Sequence, residues 1–161
     1  MNAPESSPQF LARADGLRLA YRHRPGQGPT IIFLPGYMSD MEGGKAIALD
    51  AWAGEQGRAM LRLDYAGCGA SEGRFEDGTL ASWRDDALAL IDGLTQGPLL
   101  LVGSSMGGWL ALLIALARTP LTTMSLCPRT ATAKKAPPLS STSSGWHLRW
   151  CRLQQSQAAA G

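Results

Sequence analysis

Two serines stand at the centre of a G-x-S-x-G pattern. One is Ser105, in Gly103-Ser104-Ser105-Met106-Gly107; the other is Ser71, in Gly69-Ala70-Ser71-Glu72-Gly73. A serine hydroxyl attacks an acyl carbon only when its backbone projects it into a site and a base takes its proton. The projecting device is a sharp turn with a buried strand running into it and a helix leaving it. Ser105 has both, with the apolar run Leu99–Val102 before it and the helical run Met106–Arg118 after it. Ser71 lies between a glycine loop and the turn-rich Arg74–Gly78, so it reads as a loop serine.

The glycines fit the same geometry. Gly103 and Gly107 are expected to keep side chains out of the strand–helix crossing. The helix after Ser105 aims its N-terminal dipole at a developing oxyanion. A second amide donor must come from the loop after an earlier strand. Leu34-Pro35-Gly36-Tyr37 is that loop, which makes the main-chain amides of Tyr37 and Met106 the candidate oxyanion hole.

The base is harder to find. In the strand–elbow–helix arrangement the chain order is serine, acid, histidine. After Ser105 the sequence has no Asp or Glu and a single histidine, His147, 42 residues on. His147 reads as an exposed tail residue, with a makeshift Ser105–His147 dyad as the alternative. His23 precedes the serine and reads as a strand-end surface residue.

The elements that must position these residues alternate along the first 118 residues. Leu17–His23, Thr30–Leu34, Ala59–Asp64 and Leu99–Val102 read as strands. Lys45–Gln56, a helix capped by Thr79 and ending at Gly97-Pro98, and Met106–Arg118 read as helices. The last is apolar nearly all round and is expected to be buried. Pro25–Pro29 and Asp64–Gly78 read as a turn and a loop. Strands alternating with helices predict an α/β fold with a mostly parallel sheet and helices on both faces.

Four blocks carry a resemblance: LPGYMSDMEGGKA (Leu34–Ala46), RLDYAGCGASEG (Arg62–Gly73), TLASWRDDALALIDGL (Thr79–Leu94) and LLVGSSMGGWLALLIALAR (Leu100–Arg118). Together they resemble α/β-hydrolases, and among those the mitochondrial palmitoyl-protein thioesterase group and its bacterial relatives, over about residues 10–118. The resemblance implies a serine hydrolase of acyl esters or thioesters, acyl-glucuronide esters included, with Ser105 as nucleophile. It implies no cofactor and no metal. It also implies later strands bearing the acid and the histidine, so this chain reads as the N-terminal part of the fold with its C-terminal strands largely missing. Asp64 matches a position that is structural in the family.

The rest of the chain differs in kind. Residues 1–118 carry a net charge of −3, whereas 119–161 carry +5 and no carboxylate. Ser and Thr supply 12 of those 43 residues. Leu121–Leu126 reads as one weak strand, and the remainder as largely unstructured. A frameshift or truncation after Arg118 would produce the same break. Lys134-Lys135 and Arg149–Arg152, with Trp146 and Trp150, are too sparse to predict nucleic-acid binding.

The other function classes fall to composition. The three cysteines, Cys68, Cys127 and Cys151, match neither a disulfide framework nor a zinc site. The longest apolar run, Trp109–Ala117, is too short to span a bilayer. The first residues carry no signal or transit pattern, so a cytoplasmic protein is expected. The expected partner is an acyl ester or an acylated protein, with association of copies through an open sheet edge. The competing reading is a non-catalytic fragment or pseudoenzyme that binds acyl groups or a partner; a basic-tailed interaction protein comes last.

Overall fold

A computed structural model describes residues 7–118 and 122–127. Six strands form one sheet: β1 (Gln9–Ala12), β2 (Arg18–Arg24), β3 (Gln27–Leu34), β4 (Arg58–Leu63), β5 (Leu99–Ser104) and β6 (Thr122–Cys127). Their order is β1-β2-β4-β3-β5-β6. The pairs β3/β4, β3/β5 and β5/β6 are parallel; β1/β2 and β2/β4 are antiparallel. Helices α1 (Gly44–Glu55), α2 (Leu80–Leu94) and α3 (Met106–Ala117) make the crossovers between successive parallel strands.

The two sheet faces are read from strand parity. On β4, Leu61 and Leu63 join a core with Ile32 and Leu34 of β3, Trp83, Leu90 and Ile91 of α2, and Leu110 and Ile114 of α3. Arg62 has the opposite parity. Its guanidinium donates to the Met41 carbonyl at 2.9 Å and to Asp50 of α1 at 3.5 Å. So α1 covers one face while α2 and α3 cover the other.

This arrangement creates a break in winding. From β3 the chain passes under α1 to β4 on one side. From β4 it returns through α2 to β5 on the other side of β3. The loops after β3 and β5 therefore leave neighbouring strands toward opposite faces, and open α/β sheets bind ligands in that crevice. Leu34 is in register with Gly103, so both strands end at the same level.

Helix α2 starts where expected. Thr79 accepts from the Ser82 amide and Ser82 reciprocates to the Thr79 amide, a capping box. Buried Asp86 on α2 accepts from the Ala66 amide at 2.9 Å and from Arg13 beyond β1. The helix is thereby tied to the loop after β4 and to the first hairpin.

Several sequence expectations change. The Pro25–Pro29 turn is partly strand: β3 begins at Gln27, its register against β4 shifts between Gln27 and Ile31, and Gly28 in that stretch has φ 75°. Strand β1 was not expected. It is four residues long with Phe10 outward, too short to show an alternation. Phe75–Asp77 in the long loop is a 3-10 turn. Helix α3 is not buried all round. Trp109, Leu112 and Leu116 are 57%, 38% and 76% exposed, three and four residues apart on its outward face. The sheet and α2 take only one side of it. The Leu121–Leu126 strand is β6, which pairs with β5 from Leu99↔Thr122 to Ser104↔Cys127, so β5 lies inside the sheet.

Candidate functional site

Ser105 occupies the single residue between β5 and α3, with φ 55° and ψ −118°. Among the described residues only Met38, at φ 52°, is another non-glycine with positive φ. Such backbone costs about 1–3 kcal/mol per residue and persists only where its surroundings enforce it. Both lie in loops at the winding break. The Ser105 side chain is exposed and makes no capping bond to its own helix.

The enforcement comes from close backbone contact. A Cβ on Gly103 would stand 2.3 Å from the Gly107 carbonyl oxygen, and one on Gly107 would stand 2.0 Å from that of Leu34. Neither position admits any other residue without moving main chain. A Cβ on Gly36 would lie 3.4 Å from the Ser105 Cβ, which puts the turn after β3 against the serine. The amide of Met106, first in α3, has no carbonyl to bond within the helix. The amide of Tyr37 follows Gly36 directly. The Gly36-Tyr37 turn thus lies against Ser105, and Met106 follows Ser105 in the chain.

The end of β4 holds the Tyr37 loop. Tyr65, buried, donates its hydroxyl to the Pro35 carbonyl at 3.2 Å. Burial pushes its phenol well above the usual range. Asp64, also buried, accepts from the Met41 amide at 2.7 Å through one oxygen and from the Ala70 amide at 2.9 Å through the other. Beneath the loop, rings continue from Tyr37 to Phe75 (centroids 5.2 Å apart) and from Phe75 to Trp83 (5.5 Å). Tyr65 and Lys45 carried no sequence signal of a role. The ammonium of Lys45, an exposed residue of α1, donates to Ser104 Oγ at 3.1 Å, one residue before Ser105.

The second motif serine is placed otherwise. Ser71 Oγ accepts from the Ala20 amide at 2.8 Å and donates to the Asp64 carbonyl at 2.8 Å. Its hydroxyl is spent on joining the loop to β2. His23 is exposed on β2. His147 lies outside the described residues. Among the described residues, no three His, Cys, Asp or Glu side chains cluster to hold a metal, and no helix is long and apolar enough to cross a membrane.

A cavity of about 250 Å³ opens beside the Tyr37 turn, lined by Met38, Ser39, Asp40, Cys68, Phe75 and two glycines. Cys68 is free and buried. Burial first, then the charges of Asp64, Asp86 and Asp40, push its thiol up to about 11. At neutral pH it is an apolar wall rather than a nucleophile.

Residues 31–159 match the profile of the Alpha/beta hydrolase family. The chain belongs to that family. The human mitochondrial palmitoyl-protein thioesterase ABHD10 is 49% identical over 114 residues, 71% of this chain and 37% of the relative. This chain thus spans little more than a third of the length of the curated relatives it matches. The mouse Alpha/beta hydrolase domain-containing protein 10 superposes with a TM-score of 0.72 at 42% identity, over 75% of this chain and 49% of that one. Est1E of Butyrivibrio proteoclasticus, solved with ferulic acid bound, gives 0.62 at 29% identity, over 68% and 47%. The curated relatives are named as mitochondrial, a compartment other than the cytoplasmic one expected above.

Proposed function

We propose that the family site in this chain is a serine esterase or thioesterase site with Ser105 as its nucleophile. Its Oγ attacks the acyl carbon, and the carbonyl oxygen takes up the charge against the amides of Tyr37 and Met106. The C–S or C–O bond then breaks, leaving the acyl group on Ser105 and a protonated thiol or alcohol; water returns the acid. What carries the reading is the left-handed backbone of Ser105 between β5 and α3, walled by Gly103 and Gly107. Relatives named as palmitoyl-protein thioesterases support a thioester over other acyl substrates.

Lys45 adds positive charge next to the elbow and steadies Ser104. A second reading, a non-catalytic fragment that binds acyl groups, is favoured by one observation: the last carboxylate in the sequence is Asp92, before the serine. His147 is then the sole downstream histidine, without an acid to orient it. The experiment is labelling with an alkyl fluorophosphonate, with the modified residue located by peptide mapping. Attachment at Ser105, lost in Ser105→Ala, is expected. Attachment at Ser71 would overturn the assignment.

A further inference from the structure

The loop after β3 carries the Tyr37 amide and a strained backbone that its own side chains do not enforce. Met38 has φ 52°, yet it is 77% exposed, so burial does not hold it there. Such backbone persists only where its surroundings impose it. Two anchors flank the stretch. Before it, the Pro35 carbonyl accepts from the Tyr65 hydroxyl. After it, buried Met41 donates its amide to Asp64 at 2.7 Å and accepts at its carbonyl from Arg62 at 2.9 Å. Both main-chain polar groups of one residue are thus taken by side chains two residues apart at the end of β4. Between the anchors, the Ser39 amide donates to the Gly36 carbonyl at 3.1 Å and closes the turn that contains Tyr37 and Met38.

Arg62 is the costly member of this clamp. It is in register with Arg22 of β2, and like charges directly opposite each other destabilise a strand pair. It is also buried, where a charge is expensive. Met60, two residues earlier on the same face of β4, is buried and apolar. The neighbouring carboxylates do not depend on Arg62 for a counter-charge. Glu42 pairs with Arg22 at 2.5 Å, and Asp50 pairs with Arg24 at 2.7 Å. Stability alone does not call for a third cation here, and a local rule broken without such a gain points to a functional demand. The Arg62 nitrogen that binds the Met41 carbonyl lies 3.3 Å from the Glu42 carboxylate, so the two residues that follow the turn are gathered on one guanidinium.

We propose that Arg62 is a positioning residue for the oxyanion hole: through the Met41 carbonyl it sets the turn that presents the Tyr37 amide beside Ser105. The inference rests on the esterase reading and adds to it the side chain that holds the second donor in place. Arg62 touches no reacting atom. It acts through Met41, four residues beyond Tyr37, and removing it frees the far end of the turn while Tyr65 still holds the near end.

The test is the rate at which an ethyl fluorophosphonate labels Ser105 in the full 161-residue chain and in two variants of one ion-pair network. Arg62→Met removes the donor to Met41, while Glu42 keeps Arg22 and Asp50 keeps Arg24. Arg24→Met is the control. It takes the same charge from the same network, leaves Asp50 with Arg62 at 3.5 Å, and leaves the Met41 carbonyl bonded. A small misplacement of a group that acts on the reacting atoms costs up to about a hundredfold in rate. Arg62→Met is therefore expected to label about ten- to a hundredfold more slowly than the parent, and Arg24→Met at the parent rate. Parent-rate labelling of Arg62→Met, or equal slowing in both variants, overturns the proposal. If Arg62→Met does not fold, Arg62→Lys decides, since it keeps the charge but trades the planar fork for a single ammonium. Slower labelling than in Arg24→Met sustains the proposal, and labelling as fast overturns it. If the parent itself is not labelled, the esterase reading falls, and the hold of Arg62 on the Tyr37 turn is judged by ¹⁵N relaxation. Order parameters of the Tyr37 and Met38 amides should drop from about 0.85 to below about 0.6 in the folded Arg62 variant and stay high in Arg24→Met. Unchanged values in the Arg62 variant overturn it.

Discussion

The hydroxyl of Tyr65, at the end of β4, donates to the carbonyl of Pro35, at the end of β3, at 3.2 Å inside the core. That carbonyl lies two residues before the Tyr37 amide. A Cβ on Gly107 would come within 2.6 Å of it, so the same oxygen sits at the first turn of α3. One hydrogen bond thus fixes the loop after β3 relative to the elbow after β5. Tyr65→Phe keeps the ring packing and leaves a buried carbonyl unpaired. The expected cost is about 1–3 kcal/mol by urea titration. Slower fluorophosphonate labelling of Ser105 should accompany it, because the Tyr37 amide is less well held.

The glycines of the elbow give a sharper contrast. Gly107→Ala places a methyl 2.0 Å from the Leu34 carbonyl oxygen, and the strand–helix crossing has to open. Overpacking of this kind costs about 1–3 kcal/mol or more. Gly44→Ala, at the first residue of α1, meets nothing within 4 Å. It should gain about 0.4–1 kcal/mol by stiffening the unfolded chain. Thermal melts of the two variants should move in opposite directions from the parent.

Much of this geometry was legible in the residues. The period of β4, β5 and α2 gave those elements to within a few positions, and the capping pattern at Thr79 located a helix start. Ser105 was distinguishable from Ser71 because an apolar strand and a helix flank only the former. What was not legible depends on contacts between distant residues. Tyr65 on Pro35, Asp64 on Met41 and Lys45 on Ser104 are separated by 30, 23 and 59 residues, and no local pattern records them. The outward stripe of α3 was missed for a different reason. Composition shows that a helix is apolar, but not how many of its sides find cover.

Asp64 makes stability depend on pH. Its carboxyl is raised above the ordinary 3.8, chiefly by burial and further by Asp40 and Glu42, against the opposing effect of the Ala70 and Met41 amides. The folded protein therefore holds this proton more tightly than the unfolded chain does. The group contributes most below pH 3.8 and loses that contribution as pH rises through the raised value. Asp64→Asn does not titrate. Urea midpoints between pH 4 and pH 7 should show the parent losing stability relative to the variant as pH increases. A parent curve rising above the variant's would contradict the shift.

Trp109, Leu112 and Leu116 form a continuous apolar stripe on α3. Exposed apolar patches drive association when they are contiguous. The 161-residue chain is expected to elute from size-exclusion chromatography above its monomer mass of 17.1 kDa. Trp109→Gln combined with Leu116→Lys should shift it toward the monomer. An identical elution for parent and variant would locate the association elsewhere.

Turnover should separate from labelling. Attack by Ser105 on a fluorophosphonate is irreversible and needs the hydroxyl activated only once, whereas turnover needs a base in every cycle, both to activate the hydroxyl and to direct water at the acyl group. The sequence has no carboxylate after Asp92 to orient a histidine. With serine, oxyanion donors and binding alone, catalysis of about 10³–10⁴-fold over water remains, far below that of a complete triad. Hydrolysis of octanoyl thioesters by the 161-residue chain should therefore be slow and proportional to Ser105 occupancy, and His147→Ala should leave it unchanged. A rate comparable to that of an intact relative, abolished by His147→Ala, would instead make His147 the base. The two outcomes differ by orders of magnitude, so a single stopped assay with free thiol detection distinguishes them.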